Sequence, residues 1–207
     1  MKIRSLGAIA LALVLPAMAP AAEETSASRV ASSPADNFPA IDIRELIAKV
    51  ARRSSKQFVI DPRVRAEIPL SGFDVNAVDY EKLLAILSVN QFVAFQSGGV
   101  VRVVPDAIAR QLPIPVTTEV SPKALDDELV TLIVQVKNAC APYLVPIVRP
   151  IMPQNAHLAA MAPSTLIVVD RADNARRVVE VIERIDKAQT PGAKCGPEIL
   201  GSKPESK

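Results

Sequence analysis

Two blocks of the chain, residues 38–105 and 124–187, carry apolar side chains at regular intervals, and this periodicity is the strongest constraint on the fold. In each block the interval alternates between two residues, which is typical of strands, and three to four residues, which is typical of helices. The segments 22–37, 106–123 and 188–207 show no period and are rich in serine, proline or glycine. The sequence therefore predicts two small α+β domains, with a disordered linker before them, a linker between them and a disordered tail.

The first block predicts the element order β-α-β-β-α-β-β. Asp42 stands before a helical repeat of apolar residues, and Glu45 three positions later completes a capping box. Residues 64–70 alternate between apolar and polar side chains, as in a half-exposed strand, and Pro69 indicates an edge position. After a second helix, two apolar strands are joined as a hairpin by residues 97–99.

The second block predicts the order β-α-β-β-α. Residues 130–136 alternate as a strand, Pro142 can start the first helix, and Pro146 kinks it by removing a backbone donor. The last helix has apolar residues on one face and opposite charges four positions apart on the other. Asp170 stands directly before this pattern, and we expect it to cap the helix.

The N-terminus has the three regions of a secretory signal peptide, which we predict over residues 1–21. Lys2 and Arg4 give a positive start, residues 6–15 are apolar, and residues 19–21 supply a small-x-small cleavage pattern. The apolar run is too short to span a bilayer, and no later stretch reaches the roughly 18 apolar residues that a span requires. We therefore predict an exported chain that lies outside the cytoplasm and has no membrane span after signal removal.

The charge balance and the glycine pattern both argue against a nucleic-acid partner. Removal of Lys2 and Arg4 lowers the number of basic residues from 24 to 22, which equals the 22 acidic residues. Nucleic-acid binders normally carry a positive excess. The β-α-β-β-α order is also that of a KH module, but KH modules clamp nucleic acid with a GXXG loop. No glycine lies between Val100 and Pro191.

Few residues could carry chemistry, since the chain has one histidine, His157, and two cysteines. Cys140, His157 and Asp170 are of the types that form a nucleophile, a base and an orienting group, but their spacing does not bring them together. A metal site needs three or four ligands, and both cysteines lie far from His157 in sequence. Cys140 and Cys195 can instead pair as a disulfide that pins the tail. We predict no cofactor and no metal, with a periplasmic thiol or hydrolytic enzyme as an alternative.

Several stretches resemble, in their order along the chain, the N-terminal domains of type II secretion secretins. The first block is similar to the N0 domain and the second to the N1 domain, which has a KH-type, NolW-like fold. The similar stretches are residues 42–47, 58–64, 97–106, 136–139, 144–150, 153–160 and 169–172. Gln91 and Ala156 stand where the family usually has glycine. The family continues into further domains and a membrane β-barrel, whereas only about twenty residues follow the second block here, so we expect no pore from this chain.

The resemblance implies a periplasmic interaction or scaffold module of a type II secretion system that is not an enzyme. Its expected partners are the inner-membrane platform protein and secretin subunits, and it could form a homo-oligomeric ring. Its expected location is the periplasm, in association with an outer-membrane secretin complex. One alternative is the signalling domain of a TonB-dependent transducer, which would account for the first block and leave the second unexplained.

One surface is a candidate for the addition of a partner strand, namely the edge formed by Val64, Arg65, Ala66, Glu67 and Ile68. Unpaired backbone groups on an edge strand can bind an extended segment of another protein by β-augmentation. The charged side chains in this stretch would protect the edge from other strands until that partner arrives. A strand edge that is merely blunted by charge explains the same residues equally well.

Overall fold

The computed structural model describes residues 39–72, 74–161, 163–190 and 195. The predicted signal peptide and N-terminal linker, and most of the predicted tail, lie outside these residues. The elements follow in the order β1 (Ala40–Asp42), α1 (Ile43–Ser54), β2 (Phe58–Ile60), β3 (Glu67–Pro69), a 3-10 turn (Val75–Ala77), α2 (Tyr80–Val89), β4 (Phe92–Ser97), β5 (Val100–Pro105), a 3-10 helix (Asp106–Gln111), β6 (Val116–Thr117), β7 (Leu129–Gln135), α3 (Ala141–Val148), a 3-10 turn (Arg149–Ile151), β8 (His157–Met161), β9 (Thr165–Arg171) and α4 (Ala172–Ala188). None of these helices is both long and apolar enough to cross a bilayer.

Helix α1 begins where the sequence predicts, because Asp42 caps it. The Oδ1 atom of Asp42 accepts hydrogen bonds from the backbone N–H groups of Arg44 and Glu45, at 2.7 and 3.4 Å. The other half of the expected capping box is replaced by an ion pair, since the Glu45 carboxylate lies 3.1 Å from Lys49. The apolar residues spaced along α1 are buried: Ile43, Leu46, Ile47 and Val50. The helix thus packs one face into the core of the first block.

Two sheets share the first block. β2, β5 and β4 form a three-stranded sheet in that order, with β2 parallel and β4 antiparallel to β5. β1 and β3 form a separate antiparallel pair in which Ile41 lies opposite Ile68. Side chains from both helices and both sheets meet in one hydrophobic core. The predicted β-α-β-β-α-β-β order is confirmed.

The strand predicted over residues 64–70 is too long, because β3 covers only Glu67–Pro69. Val64 is fully buried, and its N–H donates to the carbonyl of Asp61 in the preceding turn at 2.9 Å. The Val64 carbonyl accepts a hydrogen bond from Nε of Arg44 at 2.9 Å. These bonds satisfy both backbone groups of Val64 locally, so the strand starts further along the chain.

The second block is a four-stranded sheet with two helices on one face. Its strand order is β6-β7-β9-β8, and β7 and β8 are both antiparallel to β9. α3 and α4 pack on the face that carries Leu132, Leu166 and Val168, which are fully buried. Pro146 lies inside α3, which ends two residues later and continues as a 3-10 turn. The predicted β-α-β-β-α order is confirmed, with β6 added at one edge.

Asp170 does not cap the last helix as the sequence predicts. β9 runs on to Arg171, and α4 begins at Ala172 without a side-chain cap. The reason lies in the length of the β7–β9 ladder, which pairs Asp170 with Val130 and Arg171 with Leu129. Strand pairing therefore holds Asp170 inside the sheet, one residue before the position that a cap would take.

The segment predicted as an unstructured linker, residues 106–123, is folded over much of its length. Asp106–Gln111 forms a 3-10 helix, and Val116–Thr117 pairs in parallel with β7. Ala109 is 3% exposed, and Ile114 packs against the same apolar cluster. Burial of these side chains orders a segment whose prolines alone indicate a loop.

A small apolar cluster joins the two blocks. It contains Val93 of β4, Ala109 of the 3-10 helix, and Leu129 and Val169 of the second sheet. Successive side chains of a strand point to opposite faces, so Leu129 and Val169 lie on the sheet face away from α3 and α4. The first block therefore covers one end of that face, and the described residues of the two blocks belong to one compact unit.

Arg171 adds polar bonds across the same junction. Its Nη2 atom lies 3.2 Å from Oδ2 of Asp106 and 3.4 Å from the carbonyl of Phe92, and its Nε lies 3.6 Å from Oδ1 of Asp127. The side-chain amide of Asn155 also donates to Oδ2 of Asp106, at 3.5 Å. The side chains of Arg171 and Asp106 are only 12% and 9% exposed, so solvent screens this pair little.

Candidate interaction surfaces

An apolar groove lies between β3 and the C-terminal half of α2, and we call it the β3–α2 groove. Its volume is about 350 Å³. Most of its lining residues have apolar side chains: Ile68, Pro69, Leu70, Ala85, Ile86 and Val89. Lys82 and Asn90 also line it and supply polar atoms. A concave apolar surface with a few polar groups is suited to hold a side chain or short segment of a partner.

The geometry of α2 leaves Val89 at the surface. The helix starts after Asp79, whose Oδ1 accepts the backbone N–H of Lys82 at 2.8 Å. It ends at Val89, after which the side-chain amide of Asn90 donates to the carbonyl of Ile86 at 2.8 Å. Val89 is 84% exposed, more than any other large apolar side chain in the described residues. An apolar side chain held in this position favours contact with another molecule.

The register of β3 decides what its edge can offer a partner strand. The carbonyl of Ala66 accepts the N–H of Ile43 at 3.0 Å, so the backbone groups of Ala66 and Ile68 face β1. The backbone groups of Glu67 and Pro69 consequently point away from β1. Because proline has no N–H, this side of β3 offers the N–H and carbonyl of Glu67 and one further carbonyl.

The structure thus shortens the edge that the sequence suggests for strand addition. Of its five residues, only Glu67 and Ile68 lie in β3. Val64 is buried in the preceding turn, and Nε of Arg65 donates to the carbonyl of Pro62 at 3.1 Å. Strand addition at this edge stays a prediction, and the β3–α2 groove beside it is the larger surface.

Two of the three residues considered as a catalytic set, Cys140 and Asp170, have other partners. The sulfur of Cys140 is bonded to Cys195. The carboxylate of Asp170 accepts the next backbone N–H at 2.8 Å and the side-chain amide of Asn174 at 2.6 Å. Burial raises the pKa of Asp170 and outweighs these hydrogen bonds, which act to lower it. His157 lies on β8 opposite Val169, and the described residues contain no cluster that could hold a metal ion.

A disulfide bond joins Cys140 to Cys195, with an S–S distance of 2.02 Å and a Cα–Cα distance of 5.5 Å. Cys140 is buried and lies directly before α3. The sulfur of Cys195 lies 3.9 Å from the carbonyl oxygen of Pro163, in the turn between β8 and β9. The bond therefore attaches the chain after α4 to this end of the second block.

Asp186, which the sequence analysis does not single out, organises the loop after β7. Its Oδ1 accepts the backbone N–H groups of Asn138 and Ala139, both at 2.7 Å, and that of Lys137 at 3.1 Å. Burial acts to raise the pKa of Asp186, but the hydrogen bonds together hold it below the ordinary value of 3.8. The sequence pattern could have indicated that Asp186 is buried, since it lies four positions after Ile182 on the buried face of α4.

The sequence analysis also misses the β3–α2 groove. The helical spacing of Tyr80, Leu83, Leu84 and Leu87 predicts a single apolar face for α2. Ile86 and Val89 fall outside that face, and both line the groove. Ile86 and Val89 are apolar and three positions apart on another side of α2, and this spacing could have indicated the groove.

The first block matches a known domain family. Residues 36–103 fit the family described as GspD-like, N0 domain. This range runs from before β1 into β5 and includes both walls of the β3–α2 groove. Residues 36–103 are therefore similar to the N0 domain of secretins.

The sequence is related to secretins beyond this domain. It is 31% identical to secretin XcpQ of Pseudomonas aeruginosa over 155 residues, which are 73% of this chain and 22% of XcpQ. It is 32% identical to secretin PulD of Klebsiella pneumoniae over 175 residues, which are 81% of this chain and 25% of PulD. The chain spans about a quarter of the length of these relatives.

A solved assembly contains a similar fold. A chain of the Klebsiella pneumoniae type II secretion outer-membrane complex, which includes PulD, PulS and the PulC HR domain, superposes with a TM-score of 0.63 at 28% identity. The match covers 73% of this chain and 26% of that chain. The predicted resemblance to the N-terminal domains of type II secretion secretins is thus confirmed. Because the alignments exceed the first block, the alternative of a TonB-dependent transducer domain gains no support.

Proposed function

We propose that this chain is a periplasmic docking module of a type II secretion system, which binds partner proteins and catalyses no reaction. The observation that carries the proposal is the β3–α2 groove, where an apolar concavity ends in the exposed side chain of Val89. Similarity to secretin N-terminal domains supports the class of assembly and the location beside an outer-membrane secretin complex.

The partner at the groove, in this proposal, is the periplasmic part of the inner-membrane platform protein. The similar chain of Klebsiella pneumoniae lies in an assembly that includes the HR domain of PulC. A partner strand would pair with the outward backbone groups of Glu67 while an apolar side chain enters the groove next to it. Lys82, at the groove, would favour a partner with acidic residues nearby.

Secretin subunits, including copies of this chain, are the second class of partner that we propose. A ring needs two different surfaces on each subunit, because each copy meets its neighbours head to tail. The second block offers such a pair, since Ile147 on α3 is 56% exposed and Ile133 on the opposite sheet face is 36% exposed. Contacts of this kind would leave the β3–α2 groove of every subunit open to the platform protein.

The proposal is tested by calorimetric titration of the mature chain with the periplasmic domain of the platform protein from the same secretion system. Val89→Asp places a charge at the groove without disturbing the core, because the side chain is exposed. The affinity of this variant should be at least about tenfold lower, as expected for loss of a central apolar contact.

Val116→Asp is the matched control, since it makes the same change at an exposed valine away from both proposed binding surfaces. It should bind the platform domain as the unchanged chain does. Equal losses in both variants, or no loss with Val89→Asp, would contradict the groove as the binding site. Failure of the unchanged chain to bind any platform or secretin component would contradict the function itself.

A further inference from the structure

β8 is an edge strand of the second sheet and lacks the features that usually protect such strands. Its five residues, His157–Met161, include no lysine, arginine, aspartate, glutamate or proline. By contrast, β3 contains Glu67 and Pro69, and β4, the other described edge strand of more than three residues, is buried from Phe92 to Phe95. Long uncharged edges pair readily with other strands, and proteins normally cover or charge them. β8 thus has the composition of an edge that another strand covers.

The register of the sheet decides which backbone groups β8 presents. The N–H of Val136 donates to the carbonyl of Ser164 at 2.9 Å, so the even-numbered residues of β9 bond with β7. The odd-numbered residues of β9 bond with β8, which leaves the N–H and carbonyl groups of Leu158 and Ala160 at the outer edge. Among the described residues, no further hydrogen bond involves these groups. β8 therefore offers two complete pairs of donor and acceptor, with Ala159 between them.

A second copy of β8 fits this edge in an antiparallel register centred on Ala159. Ala159 then lies opposite Ala159 of the second copy, and on each side of it Leu158 of one copy lies opposite Ala160 of the other. Outward groups meet outward groups, so each of the two flanking pairs exchanges two hydrogen bonds, which makes four in all. The central pair is of the closely spaced type without hydrogen bonds, and the small side chain of alanine suits that spacing.

The side chains on the outer sheet face also suit this register. In β8 they belong to His157, Ala159 and Met161, which alternate with the residues that face α3 and α4. Met161 is 63% exposed, and the register places it opposite His157 of the second copy, whose ring can cover it. A two-fold axis at residue 159 brings identical side chains together, so a charge there would meet its own like charge. β8 has no charge, which favours a second copy as the occupant of this edge.

We propose that two copies of this chain associate through their β8 strands, so that their four-stranded sheets join into one antiparallel sheet across a two-fold axis. Such a contact is isologous and closes as a dimer, whereas the contacts of a ring run head to tail. The inference therefore goes beyond the proposed function, which rests on the β3–α2 groove of the first block.

Sedimentation equilibrium of the mature chain, with its disulfide intact, tests the proposal through variants at residue 159. Ala159→Lys and Ala159→Glu each place two like charges at the axis, and each should raise the dissociation constant of the dimer by at least about tenfold. In an equal mixture of the two variants opposite charges meet at the axis, and the dissociation constant should return to within about threefold of the value for the unchanged chain. Only a register centred on residue 159 predicts this recovery.

Gln135→Lys is the matched control, because it places the same charge at an exposed position of the outer sheet face, on β7, two strands away from β8. It should leave the dissociation constant unchanged. Amide exchange measured by NMR over a dilution series gives a second readout. The Leu158 and Ala160 amides should exchange about tenfold or more slowly in the dimer than in the dilute chain, whereas the amide of Val168, inside the sheet, should not respond to dilution.

Several results would overturn the proposal. One is a chain that stays monomeric up to roughly millimolar concentration. Another is a dimer that tolerates both charges at residue 159, or one that the mixture of variants does not restore. Slow exchange of the Leu158 and Ala160 amides that persists on dilution would assign the edge to a segment of the same chain. Slow exchange that appears only when another secretion component is added would assign it to that component, and either result contradicts a second copy.

Discussion

Among single residues, Asp186 gives the clearest link between charge and folding. Its carboxylate accepts three backbone N–H groups in the loop after β7, and the residue is 8% exposed. Asp186→Asn keeps the shape of the side chain but places an amide NH2 group beside these backbone N–H donors. The free energy of unfolding at neutral pH should therefore fall by about 2 kcal/mol. Chemical denaturation monitored by circular dichroism measures this change.

The pH dependence of that loss follows from the lowered pKa of Asp186. A group whose pKa is lower in the folded state stabilises the fold above its unfolded pKa, near 3.8, and the stabilisation is lost as the pH falls through the folded pKa. The difference between the unchanged chain and Asp186→Asn should therefore be constant from about pH 7 to about pH 5 and shrink below about pH 4. Glu183→Gln, an exposed change on the same helix, should cost little at any pH. A difference that grows in acid would contradict this role of the carboxylate.

Gln91 has a positive φ angle, and the cost of this backbone conformation in folding free energy can be measured. Its φ is +61°, in the left-handed region that side chains other than glycine disfavour. Gln91→Gly should raise the free energy of unfolding by roughly 0.5–1 kcal/mol, since relief of strain exceeds the added entropy of the unfolded chain. Gln189→Gly is the control, because φ there is −82° and glycine can only destabilise. Destabilisation by both changes, seen as lower thermal midpoints, would contradict strain at residue 91.

At the scale of elements, β9 and the 3-10 helix Asp106–Gln111 are joined through Arg171. Arg171→Ala removes the guanidinium between Asp106 and Asp127 and leaves the buried Asp106 carboxylate without its charge partner. We expect a loss of about 3 kcal/mol in the free energy of unfolding. Arg184→Ala breaks a pair that is 77% and 60% exposed, and it should cost at most about 0.5 kcal/mol. Similar losses in urea denaturation of the two variants would contradict a special role for Arg171.

The elements that the sequence predicts correctly are those whose periodicity is strong. α1 follows from Asp42 and the buried spacing of its apolar residues, and the hairpin of β4 and β5 follows from its glycine turn. The errors occur where packing decides a boundary. The Val64 carbonyl accepts a hydrogen bond from Arg44, 20 positions away, and the β7–β9 ladder extends β9 past Asp170. Local patterns do not contain these long-range pairings.

For the whole molecule, the sequence indicates the class of function better than the site. The order of the stretches similar to secretins is visible along the chain, and the family comparisons confirm it. The β3–α2 groove is harder to predict, because residues from β3 and from α2 must come together in space to line it. The contact between the two blocks cannot be predicted from local patterns either, since Asp106 and Arg171 are 65 positions apart in sequence.

The disulfide provides a last test, because it closes the part of the second block that runs from the start of α3 to Cys195 after α4. The linked cysteines are 55 positions apart, and closing a loop of this length in the unfolded chain is worth about 4 kcal/mol in the chain-entropy model. The double variant Cys140→Ser, Cys195→Ser should therefore unfold at a lower temperature, and added reductant should lower the midpoint of the unchanged chain towards it. Reductant should leave the double variant unaffected, which separates the disulfide from other effects of the reagent. If alkylation labels both cysteines of the chain without prior reduction, or if the midpoint does not change with reductant, Cys195 is not fixed by this bond.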